Sequence, residues 1–143
     1  MTASSGGSLI AVGTRSTFSK TIGESDIALF AGITGDFSPN HVDAEYMKST
    51  PYGGIIAHGV LVVGLMSTCS TRIIEHNPVD RPVVSYGYDR IRFVKPVRVG
   101  DTVTVTYEIV SADREAEKTV AAVTAVNQRG EVVAVAAHIL KYL

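Results

Sequence analysis

The 143-residue chain has no tryptophan and a single cysteine, Cys69. One cysteine excludes an internal disulfide and any cysteine-built metal site. Cys69 lies in "GLMSTCST", an apolar, small-residue stretch that suits a buried and unreactive thiol. Charge is scarce as well: 19% of residues are Asp, Glu, Lys or Arg, and the formal net charge is -1. That balance offers no electrostatic footprint for nucleic acid. No run reaches the ~18 apolar residues of a membrane span. The opening "MTASSGGSLIAVG" lacks the basic start and long apolar centre of a secretion signal. A cytoplasmic protein is therefore expected, with residues 1–8 as a flexible tail and residues 9–143 as one domain.

What is present has a clear order. "LIAVGTRSTFS", Leu9 to Ser19, reads as a first strand. In "TIGESDIALFAGITG", Ile27, Phe30, Ala31 and Ile33 share a helical face, with Ser25 or Thr21 to cap it and Gly35 to end it. Pro39 disfavours helical geometry at Ser38, so Asp36–His41 should be an extended or turn segment. A short helix should begin at Asp43. "GVLVVGLMSTCSTRIIE", from Gly59, carries no charge until Arg72 and reads as a helix buried on nearly all sides. After Pro82 come four strand-like segments, the last two joined by "QRGE" with Gly130. One strand, a helical region and an antiparallel run imply an α+β fold, with a curved sheet wrapped around one apolar helix.

Three segments hold candidates for chemistry. "GDFSPNH" sets Asp36 and His41 five residues apart across Pro39. A carboxylate and an imidazole aimed at one water can take a proton and deliver one. On that pair alone, a surface turn is the stronger reading. A metal site would need a further ligand, and none stands nearby in sequence. "GGIIAHGVL" puts His58 and Gly59 at the expected start of the apolar helix, where free N–H groups favour negative charge. Turn glycines and a capping or core histidine would explain that segment equally simply. In "YDRIRFVKPVRVGD", strand alternation would put Arg90 and Arg92 on one face. With Lys95 and Arg98 they could meet ligand phosphates, although solvated strand residues look the same. His76 and His138 have no partner pattern and read as structural.

Taken together, "FAGITGDFSPNHVD", "GGIIAHGVL" and "RIRFVKPVRVGDTV" resemble the MaoC-like dehydratases, the family of the (R)-specific enoyl-CoA hydratases, which have the hotdog fold. The resemblance runs from about Phe18 to the C-terminus. It implies homodimers with joined sheets and sites near the interface. Asp36 and His41 match the catalytic pair that activates one water for syn addition to a trans-2-enoyl thioester. Gly59 matches the glycine whose N–H is the oxyanion donor. His58, Ser38, Arg90, Arg92 and Lys95 are then the expected contacts to an acyl-CoA or acyl-carrier-protein substrate. No metal or redox cofactor is implied. Ser38 stands where many hydratases have Asn, and Gly64 where some have a serine on the long helix. Acyl preference should depend on how Tyr52, Met66, Tyr86 and Tyr88 pack.

Two rival readings share the fold. A hotdog thioesterase needs a carboxylate on or near the central helix, and Gly59–Arg72 contains no Asp or Glu. A non-catalytic acyl-binding subunit has no need of the Asp36 and His41 pair.

Overall fold

The computed structural model describes residues 7–143, so most of the expected tail lies outside the described residues. Ile10 is already in the core, 3% exposed. The first strand, β1 (Arg15–Thr21), starts later than the sequence suggests. Gly13 adopts a left-handed φ of 90° and its N–H bonds to the Ile109 carbonyl, so the chain turns there before pairing begins.

Four helices follow: α1 (Glu24–Thr34), α2 (Pro39–Val42), α3 (Ala44–Lys48) and α4 (Gly59–His76). Neither Ser25 nor Thr21 caps α1. Instead the Asp26 carboxylate reaches back to the Gly23 N–H at 2.8 Å, holding its own pKa below the usual range. Gly35 ends the helix as expected, at φ 80°, with its N–H bonded to the Ala31 carbonyl. The Asp36–His41 segment is only partly extended. Ser38 has the extended ψ of 138° that a following proline demands, but Pro39 then opens the single turn of α2. Asp43 caps α3 by accepting the Tyr46 N–H at 2.9 Å.

The remaining strands are β2 (Val83–Phe93), β3 (Thr102–Asp113), β4 (Lys118–Val126) and β5 (Val132–Tyr142). They form one sheet in the order β1-β3-β4-β5-β2, every neighbour antiparallel. Alternation gives the sheet an apolar inner face: Val103, Val105, Tyr107 and Ile109 on β3, and Ala121, Val123 and Ala125 on β4, are all buried. α4 lies across that face, and the small alanines let it approach closely. Leu61, Val62, Leu65, Met66, Cys69, Ser70 and Ile73 form its buried stripe. This helix-on-sheet arrangement is the expected hotdog architecture. One detail differs: α4 is not buried all round. Val60, Gly64, Ser67 and Thr71, on the opposite face, are exposed. Among the described residues no helix is long and apolar enough to cross a membrane.

Cys69 is wholly buried, and burial pushes its thiol pKa up. His138 is buried on the inner face of β5, with Nδ1 2.7 Å from the Tyr107 hydroxyl and Nε2 2.7 Å from the Ser85 hydroxyl. Desolvation lowers its pKa from 6.5 to about 4. The folded protein thus keeps this imidazole neutral where the unfolded chain protonates it. Unfolding takes up a proton between those two values, so stability falls as pH drops from 6.5 to about 4. Urea midpoints measured across that window should fall for the wild type and change less for His138→Gln. Equal slopes for the two proteins would show that His138 is not the group responsible.

Candidate active site

The left-handed turn at Gly35 throws Asp36 outward from the end of α1. Its Oδ1 accepts the Ser38 N–H at 3.2 Å, and its own N–H donates to Thr34 Oγ1 at 3.2 Å. The turn of α2 then brings His41 back beside the segment before α4. His41 Nδ1 lies 2.7 Å from the Ile56 carbonyl, and the Ile56 N–H donates to the Asn40 carbonyl at 3.1 Å. A carbonyl can only accept, so Nδ1 carries the ring proton and Nε2 of neutral His41 keeps a free lone pair. That is the arrangement a general base requires.

His58 closes the group. Its Nε2–H donates to the main-chain carbonyl of Asp36 at 3.0 Å. Its ring stacks on His41, centroids 3.7 Å apart and planes 25° apart, with Phe30 tilted against it at 4.7 Å. Asp36, His41 and His58 each offer one polar atom, and the three atoms lie within 4.8 Å of one another. The fold thus supplies the third potential metal ligand that the sequence did not place nearby. The stacking argues against a shared ion, because two near-parallel rings at this separation have no common in-plane point ~2 Å from a nitrogen of each. His58 is 1% exposed and does not line the adjacent cavity. Its helix-capping position turns it beneath Phe30, against Asp36 and His41.

A cavity of about 240 Å³ opens beside this group, lined by His41, Tyr52, Gly59, Phe93 and Lys95 among others. A second, of about 280 Å³, also reaches His41 and is walled by Ile27, Val42, Ile55 and Val99. Gly59 opens α4, where first-turn N–H groups have no intrahelical acceptor. Ala57 just before it is pinned by a 2.7 Å hydrogen bond from its N–H to the Val97 carbonyl.

The four expected phosphate contacts separate, and Arg98 donates through Nη1 to the Tyr52 carbonyl without lining the first cavity. Lys95 lines the first cavity, paired with Glu131, whose carboxyl is drawn down to about 2 by Lys95 first and Arg129 next. Arg90 and Arg92 do not line it. Pairing of β2 with β5 jumps from Asp89–Ala137 to Arg92–Val135, and Arg90 takes φ 52° in the resulting bulge. Strict alternation therefore fails at these residues. Arg90 lines a shallow trough with Val120, Ala122 and Val135, while Arg92 Nη1 donates to the Ile91 carbonyl at 2.7 Å. Ser38, half-buried, serves the loop through its main chain, its N–H bonded to Asp36 and its carbonyl accepting the His41 N–H at 2.8 Å.

The family model described as the MaoC like domain matches residues 10–131, which is most of the chain. The chain belongs to that family. This MaoC-like domain is 40% identical over 98 residues to the (R)-specific enoyl-CoA hydratase of Rhodospirillum rubrum, covering 68% of this chain and 64% of that protein. It is 37% identical over 99 residues to the 3-hydroxybutyryl-CoA dehydratase of Methylorubrum extorquens, covering 68% and 59%. The chain thus spans about three fifths of the length of the curated relatives it matches. In structure it resembles the (R)-hydratase of Aeromonas caviae involved in PHA biosynthesis. The TM-score is 0.82 at 25% identity, over 92% of this chain and 96% of that one. The hotdog fold is therefore that of the MaoC-like domains.

Sequence reading missed the Phe93 ring, which packs against Gly59. A Cβ at Gly59 would lie 2.7–2.8 Å from three atoms of that ring. Gly59→Ala should push the half-exposed Phe93 ring aside and lower stability by up to about 1 kcal/mol. The same substitution in a Phe93→Ala background should have little effect. Urea unfolding of the four proteins checks this, and an equal penalty in both backgrounds would rule out the Phe93 contact as its source.

Proposed function

We propose that this chain is a reversible acyl-thioester hydratase/dehydratase, adding water to a trans-2-enoyl-CoA or enoyl carrier-protein thioester. The observation that carries the reading is the gathering of polar atoms of Asp36, His41 and His58 within 4.8 Å at the head of a helix that begins with Gly59, with His41 Nδ1 held by the Ile56 carbonyl so that its Nε2 is left to take a proton. On this reading Asp36 and His41 hold one water. Its oxygen bonds to C3 of the enoyl group while a proton passes to the Asp36/His41 pair. Electrons shift from the double bond to the thioester oxygen, where the Gly59 N–H steadies the enolate. The pair then returns a proton to C2 on the same face, giving the 3-hydroxyacyl thioester. Dehydration runs the same steps backwards.

Names of the relatives agree with this reaction class. His41 borders two cavities, which gives the two arms of a thioester separate room. Lys95 is the basic group we assign to the phosphate-bearing arm. The exposed stripe of α4, together with Val84, Tyr86 and Phe93 along the edge strand β2, supports a homodimer. A cytoplasmic location accompanies this reading. The thioesterase alternative is weakened by the lack of any carboxylate on α4 before Glu75.

Asp36→Asn and His41→Ala should each slow hydration of crotonyl-CoA or a longer enoyl-CoA by roughly 10²–10⁴-fold, with circular dichroism unchanged. Loss of enoyl absorbance measures hydration, and a thiol reagent measures thioester cleavage in parallel. Near-normal hydration by both variants, or thiol release outpacing hydration in the wild type, would sink the assignment.

A further inference from the structure

His58 combines three features that a purely space-filling residue does not need. It is buried, and its Nδ1 has no hydrogen-bond partner. An unpartnered buried acceptor is destabilising, so an aromatic hydrocarbon of similar shape would fit this place with less penalty. Its other nitrogen donates to Asp36, through the main-chain carbonyl and not through the carboxylate. Its ring also forms the plate on which His41 stacks, and its own main chain leads directly into Gly59.

We infer that His58 is the positioning residue of the site, holding the Asp36 loop, the His41 ring and the start of α4 in register through one imidazole. It touches no substrate. Its Nε2–H fixes where the Asp36 main chain lies, and hence where the carboxylate one residue beyond the Gly35 turn is aimed. Its ring face sets the plane of His41, whose own Nδ1–H is fixed by Ile56. Neither constraint can be relaxed without moving the acid relative to the base, and displacements of about 1 Å at such pairs slow reactions by ~10²-fold.

The kinetic test rests on the hydratase reading, and a second measurement does not. His58→Phe keeps the stacking plate and deletes the donor, while His58→Gln keeps a donor able to reach the Asp36 carbonyl and deletes the ring. His58→Phe should unfold within about 3 °C of the wild type or above it, since it also removes the unpartnered nitrogen. Its kcat should fall by about 100-fold with KM changed less than about twofold, and His58→Gln should regain roughly tenfold of that loss. In an Asp36→Asn background, under single-turnover conditions, His58→Phe should lower the rate by less than about threefold, because its effect passes through Asp36. An unchanged kcat in His58→Phe, or an equal loss in both backgrounds, would overturn the inference. Independently of activity, ¹⁵N spectra of the imidazoles should show His58 protonated on Nε2 and His41 on Nδ1. A neutral His58 protonated on Nδ1 would also overturn it. If the wild type hydrates no enoyl thioester, the hydratase reading fails while these spectra still decide the placement of His58.

Discussion

An eighteen-residue helix with no charge before Arg72 has to be covered, and this chain offers one five-stranded sheet to do it. Burial of that stripe sets nearly everything else. Leu61, Leu65, Met66, Cys69 and Ile73 recur at helical spacing, so only one rotation of α4 puts them all against the sheet. Burying each large side chain contributes roughly 1.5–3 kcal/mol, enough to make the other rotations uncompetitive. Once the rotation is fixed, so is the direction in which the chain enters the helix. The Ala57 to Val97 hydrogen bond and the Ile56–Arg98 bridge then tie that entry to the segment leading into β3. The position of His58 and Gly59 is a consequence of core packing, reached before any chemistry is considered.

The polar half of the site follows a different rule. His41 and His58 each direct a ring N–H to a main-chain carbonyl, and neither forms an ion pair among the described residues. A carbonyl acceptor fixes a tautomer without demanding a charge, which suits the general-base role proposed for His41. The nearby ionised groups are engaged with one another instead. Lys95, which lines the first cavity, is linked through Glu131 and Arg129 to Asp101. Their mutual pairing keeps strong fixed charges off the stacked imidazoles, leaving Asp36 as the carboxylate beside them.

These two rules explain which parts of the molecule could be read from sequence. Absent charge betrays α4, Asp43 announces α3, and alternation marks β3 and β4, because each signal lies in adjacent side chains; the single turn of α2 after Pro39 goes unread. Gly35 was legible for the same reason: a left-handed stop needs glycine where it stands. The bulge that separates Arg90 from Arg92 was not legible, since it arises from pairing with β5 and leaves no residue signature at Arg90. Nor was the role of His58. Its partner is the carbonyl of Asp36, and every residue has a carbonyl, so no pattern of side chains singles out that one. Phe93 against Gly59 is equally silent, because contact between a strand end and a helix start depends on the whole sheet being in place.

The one sequence expectation about α4 that failed is also informative. Scarcity of charge suggested burial on nearly all sides, yet Val60, Gly64, Ser67 and Thr71 lie open along one side. An amphipathic helix facing only water on that side has every reason to carry lysine or glutamate there, since both are good helix formers and aid solubility. Instead the stripe is small and uncharged, and the adjacent edge strand β2 exposes Val84, Tyr86 and Phe93 beside its charged Asp89, Arg90 and Arg92. An uncharged helix stripe that a lone chain leaves exposed makes sense if another surface closes over it. The pairing proposed for the functional molecule supplies such a surface. It would extend the sheet past β2, and it would complete the wall of a site whose acid, base and helix terminus already stand at that side of the fold.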